Sequence, residues 1–113
     1  MPSHDDGVRL RHMLEAAKKA VAFSEHRTRK ELDTDEQFAL ALTRLMEIIG
    51  EAAGSVSDTV RESNSAIPWR AIVGTRNRLI HGYFDVDLDV LWNIVTHDLP
   101  ILIGELQRLP ELL

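Results

Sequence analysis

Residues 34–56 read TDEQFALALTRLMEIIGEAAGSV. Phe38, Leu42, Leu45, Ile49, Ala52 and Val56 recur at intervals of three and four. That is the spacing of one face of an α-helix, not the two-residue alternation of a strand. Ala41, Met46, Ile48 and Ala53 widen the face beyond a surface stripe, so this helix is expected at the centre of a core. Thr34 and Gln37 have capping-box spacing and set its expected start. Gly50 and Gly54 stand four apart on one side of it. Each glycine costs about 1 kcal/mol relative to alanine inside a helix, and close packing by a second helix is the expected compensation.

Helical spacing recurs on both sides of this segment. Upstream, Leu10, Leu14, Ala17 and Val21 form a stripe widened by Met13 and Ala20, with Ser3 and Asp6 as an N-cap pair. Ser24 to Asp33 is polar and charged and reads as a connection with room for one helical turn. Downstream, residues 55–66 are polar and end the central helix. Pro68 suits the first turn of a third helix, where its missing N–H costs nothing; this helix is expected to run through Trp69, Ile72, Val73 and Ile80 to Gly82. Asp87 is the expected N-cap of a last helix carrying Leu88, Leu91, Ile94, Val95, Leu99, Leu102, Leu106 and Leu109. Pro100 within it predicts a kink or a break. No strand-like alternation persists and no repeat is visible. The expected fold is all-α: an antiparallel four-helix bundle with a kinked or split C-terminal helix, one domain over residues 1–113.

Composition narrows the function. The chain has no cysteine, which excludes a disulfide framework, a thiolate metal site and a cysteine nucleophile. No apolar run approaches the roughly 20 residues of a membrane span, and Met1 to Asp6 lacks a signal-peptide pattern; a cytoplasmic protein with no membrane contact is expected. The formal net charge of −5 argues against tight, non-specific binding of long duplexes. It leaves room for a local cationic pocket, and Arg70, Arg76 and Arg78 lie close together. Lys18, Lys19, Arg27, Arg29 and Lys30 read as a solvated face.

The stretch Thr75-Arg76-Asn77-Arg78-Leu79-Ile80-His81-Gly82-Tyr83 holds the chemistry. Arginine clamps phosphate through two nitrogens, and histidine gives and takes protons near neutral pH. On an ideal helix Arg76 and His81 stand about 140° apart and roughly 7.5 Å along the axis. Asn77 and Arg78 share a face with His81. For Arg76 and His81 to serve one phosphate, the long Arg76 side chain must wrap round the helix or a second copy must supply it. The spacing thus hints at a site that straddles a dimer interface. Spacing alone favours a plainer reading, in which cationic side chains near a helix C-terminus are stabilised by the helix dipole. Tyr83 alone reads as a half-buried aromatic with its hydroxyl in water. Asp85, Asp87 and Asp89 alternate as metal ligands do, but Asp87 is needed as a cap and the run lacks the glycine and terminal glutamate of a calcium loop. No metal and no cofactor is assigned. Trp69 and Trp92 fall at core positions.

The Arg76-x4-His81-x-Tyr83 arrangement, with Asn77 beside the arginine, resembles the HepT-like toxins of the HEPN superfamily. Ile48-Ile49-Gly50-Glu51-Ala52-Ala53, Ile67-Pro68-Trp69-Arg70, Gly82 to Asp87 and the Asp98-Leu99-Pro100 interruption extend the resemblance over nearly the whole chain. It implies a helical homodimer acting as a metal-independent endoribonuclease on RNA, the toxin of a type VII-like toxin–antitoxin pair. Arg76 and His81 take the family's catalytic positions, and Asn77 and Arg78 would support the site or bind RNA. The implied partner is an MntA-type nucleotidyltransferase antitoxin that transfers AMP to Tyr83 and silences the toxin. Glu51 could approach the cleft as an arginine partner or simply be solvated. A second class stays open: a non-catalytic module that binds a nucleotide or its partner, with the arginines as a phosphate cradle.

Overall fold

The computed structural model describes residues 5–81 and 85–112. The expected all-α bundle is found. Helix α1 (Asp6–Ser24) lies along α3 (Glu36–Gly54), with the single turn α2 (Glu31–Thr34) between them. A short α4 (Asp58–Ser63) leads to α5 (Trp69–Val73) and α6 (Thr75–Leu79), both packed on α3. The chain returns through α7 (Leu88–Asn93) and α8 (Leu99–Gln107), which closes against α1. None of the described helices is long and apolar enough to cross a membrane.

The central stripe is buried as its spacing requires: Phe38, Leu42, Leu45, Ile49, Ala52 and Val56 all lie in the core. The start of α3 differs from the expected one. Its N-cap is Asp35, whose carboxylate accepts from the Phe38 N–H at 3.1 Å, not Thr34. Arg27 donates to the same carboxylate at 2.8 Å while its guanidinium sits 3.9 Å from the centre of the Phe38 ring. The Phe38 amide, and then Arg27, hold the Asp35 carboxyl below the usual carboxylate range. Arg29 reaches Asp89 at 2.7 Å and ties the α2 corner to α7. Two residues of the expected solvated face are thus committed to ion pairs. In α1 the buried face is centred on Leu10, Met13, Ala17 and Ala20, with Leu14 and Val21 half-buried at its edge. Ser3 lies outside the described residues. Asp6 is buried and accepts from the Ser57 N–H (2.9 Å) and hydroxyl (2.7 Å), fastening the start of α1 to the N-cap of α4.

Pro100 acts as its chemistry demands. The five residues Ile94–Asp98 form a wide π turn joining α7 to α8, in which the Leu99 N–H bonds to the Ile94 carbonyl. An added residue in the turn accommodates a proline that could not accept the regular helix geometry. The Thr96 hydroxyl satisfies the Trp92 carbonyl at 2.7 Å. Asp87 caps α7 as expected, accepting from the Val90 N–H at 3.1 Å.

Gly50 also meets its expected neighbour. A Cβ on Gly50 would stand 3.4 Å from the Ile72 carbonyl oxygen and 3.7 Å from that of Val73, so α5 rests its backbone directly on α3. Replacing Gly50 by Leu is expected to push the two helices apart and lower stability by about 1–3 kcal/mol, measured by urea unfolding. Unchanged stability would show that the contact is not needed.

Candidate active site

The third helix does not run unbroken to Gly82. It divides at Gly74 (φ −82°, ψ 1°) into α5 and α6 and ends at Leu79. The Gly74 carbonyl accepts from both Asn77 and Arg78, and a Cβ there would lie 3.2 Å from the Arg70 carbonyl oxygen. The buried face is Trp69, Ile72, Thr75 and Leu79. Val73 is exposed and Ile80 half-buried, because each sits one residue round from the inward stripe. The Thr75 hydroxyl bonds back to the Ala71 carbonyl at 3.1 Å, which lets a polar residue occupy that stripe.

Ile80 is extended (φ −106°, ψ 119°) and forms an antiparallel bridge with Val86. The His81 N–H donates to the Asp85 carbonyl and the Asp87 N–H to the Leu79 carbonyl, both at 2.7 Å. These bonds clamp 79–81 against 85–87 and draw together the two ends of the intervening segment. His81 is therefore exposed beyond the helix, not on it. The expectation that it shares a helical face with Asn77 and Arg78 does not hold. The 140° separation from Arg76, and the two-chain argument built on it, fall with the same premise. In their place stands one backbone bond: the Ile80 N–H donates to the Arg76 carbonyl at 2.9 Å, bringing the residue before His81 alongside Arg76.

Arg76 is exposed on α6 and donates through Nε to Oε2 of Glu47 at 3.2 Å. Glu47 lies on α3, one turn before Gly50. Its other oxygen is 3.7 Å from Nη1 of Arg44, which stands 3.8 Å from Glu51. Glu51 thus pairs with Arg44, and the acid that meets Arg76 is Glu47. The sequence points to Glu51 on the same helix; Glu47 stands one turn earlier on the same face, and the spacing alone does not separate the two. Asn77 is exposed beside Arg76. Arg78 lines a groove of about 330 Å³ whose floor includes Met46, Ile49 and Leu102 and whose wall includes Asp98 and Glu105. Arg70 is exposed at the start of α5. Tyr83 lies outside the described residues.

The alternating aspartates do not act as a set. Asp87 is the α7 cap and Asp89 is the partner of Arg29. Among the described residues no three His, Asp or Glu side chains are grouped as a metal ion would need.

The model of a family described as ribonuclease HepT-like matches residues 13–109, a span that contains every residue of this site. The chain belongs to that family. Among relatives of this HepT-like chain is a Methanocaldococcus jannaschii protein named "Putative RNase MJ1380", 36% identical over 100 residues, covering 88% of this chain and 92% of that protein. A Thermococcus cleftensis protein named "Probable ribonuclease HepT" is 40% identical over 75 residues, 66% of this chain and 68% of its own length. A second M. jannaschii protein, "Putative RNase MJ0127", is 29% identical over 109 residues, 96% of this chain and 90% of that one. No solved structure matches this HepT-like chain.

Proposed function

We propose that the chain is a metal-independent endoribonuclease of the cytoplasm, the toxin of a toxin–antitoxin pair. The observation that carries this reading is the placement of Arg76 and His81. Both are exposed, and both stand at one closed helix end inside a span matched to a ribonuclease family. RNA brings its own nucleophile. The 2′-oxygen attacks the adjacent phosphorus, the bond from phosphorus to the 5′-oxygen breaks, and a 2′,3′-cyclic phosphate remains. His81 takes the proton from the 2′-hydroxyl and returns a proton to the departing 5′-oxygen. Arg76 stabilises the charge that grows on the phosphoryl oxygens. Asn77 and Arg78 hold neighbouring parts of the strand. An exposed, open site suits single-stranded RNA whose bases are splayed out.

The same reading includes two partners. A nucleotidyltransferase antitoxin transfers AMP to the Tyr83 hydroxyl, two residues from His81, and the added phosphate blocks the site by bulk and by pairing with its arginines. The active form is a homodimer. The groove lined by Arg78 supports it: beside that cation it carries the acids Asp98 and Glu105, and Ile101, which is 65% exposed. A two-fold-related copy would complement such a mixed apolar and charged face.

His81→Ala is expected to reduce cleavage of an RNA oligonucleotide on the order of 10²–10⁴-fold with an unchanged melting temperature, while EDTA leaves the wild type fully active. Cleavage that survives His81→Ala would instead favour a non-catalytic module that binds nucleotide. Activity lost in EDTA would remove metal independence. Co-expression with the nucleotidyltransferase is expected to add the mass of AMP to the Tyr83 peptide and not to that of Tyr83→Phe; an unmodified wild-type peptide sinks the regulatory claim. Ile101→Glu is expected to convert dimer to monomer in sedimentation velocity, and a persistent dimer would place the interface elsewhere.

A further inference from the structure

Arg76 is exposed, yet it is held by a residue from another helix. Glu47 takes its Nε–H at 3.2 Å, and among the described residues the terminal nitrogens of Arg76 make no further hydrogen bond or ion pair. The side chain of Glu47 is the enclosed member of the group, 25% exposed against 65% for Arg76 and 62% for Arg44. A guanidinium is a rigid plane with five donors. Gripping it at Nε fixes the plane from its stem side and leaves the terminal fork for a ligand. Arg44, near the opposite carboxylate oxygen, shares the negative charge of Glu47, so Arg76 is oriented without being neutralised.

We propose that Glu47 is the positioning residue of Arg76, setting its fork for the phosphoryl oxygens of bound RNA. This rests on the ribonuclease reading. It adds a second element, α3, to a site whose motif lies entirely on α6 and the clamp. The backbone contact at Gly50 fixes α5 on α3 and hence sets the height at which Arg76 meets Glu47. A free arginine would spread over many rotamers, and the reaction would bear the cost of ordering it.

Exposed ion pairs contribute little to folding, so Glu47 variants are expected to fold. In single-turnover cleavage of an RNA oligonucleotide, Glu47→Ala is expected to lower the maximal rate on the order of tenfold to a hundredfold, with a nearly unchanged half-saturating RNA concentration and melting temperature. Glu47→Gln, which keeps an acceptor oxygen, restores part of the rate. In an Arg76→Ala background, adding Glu47→Ala costs nothing further. Full activity in Glu47→Ala, or an equal additional loss on top of Arg76→Ala, would overturn the proposal. A second readout needs no cleavage: the NMR signal of the Arg76 Nε–H, assigned by its absence in Arg76→Lys, should exchange slowly with water in the wild type and quickly in Glu47→Ala. An exchange rate unaffected by Glu47→Ala overturns the positioning role whether or not RNA is cut. Slow exchange in a wild type that cuts no RNA leaves the grip standing and removes the ribonuclease reading alone.

Discussion

The arrangement depends on a backbone-to-helix contact at Gly50. A Cβ at that position would be in ordinary contact with the Ile72 and Val73 carbonyls of α5, at 3.4 and 3.7 Å, so there is room for a methyl group and nothing larger. The Val73 Cγ1 would likewise stand 4.0 Å from a Cβ placed at Gly54. Residue 73 near 50 and 54, and residue 76 near 47, fix an antiparallel register between the two helices. A larger residue at 50 would lift α5 and carry α6 with it.

The register explains how an acidic protein can gather cationic side chains on one face. The net charge of −5 is spread over the chain, whereas Arg76, Arg78 and Arg70 lie within two short helices and Arg44 approaches from α3. Field at a surface falls off within about a Debye length, roughly 8 Å at physiological salt. A ligand at the helix end therefore responds to these arginines and the carboxylate between two of them more than to the total. The site is open to solvent, so under the proposed ribonuclease reading the exclusion of water that strengthens electrostatic catalysis would come from the bound strand or from a second copy.

The fold was legible where one chemical preference had no rival. The α3 stripe follows from unbroken apolar spacing, and the Asp87 cap and the Pro100 interruption each follow from a single residue. Legibility failed where neighbours competed. Thr34 and Asp35 can both cap a helix, and Asp35 prevails because Arg27 reaches its carboxylate as well. Ile80 is a better apolar residue than Thr75, yet Thr75 faces inward because its hydroxyl is satisfied by Ala71. That shifts the stripe to Leu79 and frees Ile80 for the bridge with Val86. The motif arginine and histidine were readable as residue types, but their relation was not: a helical wheel cannot know that the helix ends at Leu79. Glu47 was invisible for a different reason. Its partner lies 29 residues away, and only the Gly50 contact tells which turn of α3 faces α6.

The clamp between 79–81 and 85–87 has a consequence for how such a protein changes over time. Both of its hydrogen bonds run between peptide groups, and neither uses a side chain. Substitution of the His81 or Asp85 side chain therefore leaves the clamp's own hydrogen bonds in place. Selection can vary the side chain at either position while the helix end that carries Arg76 keeps its backbone bonds.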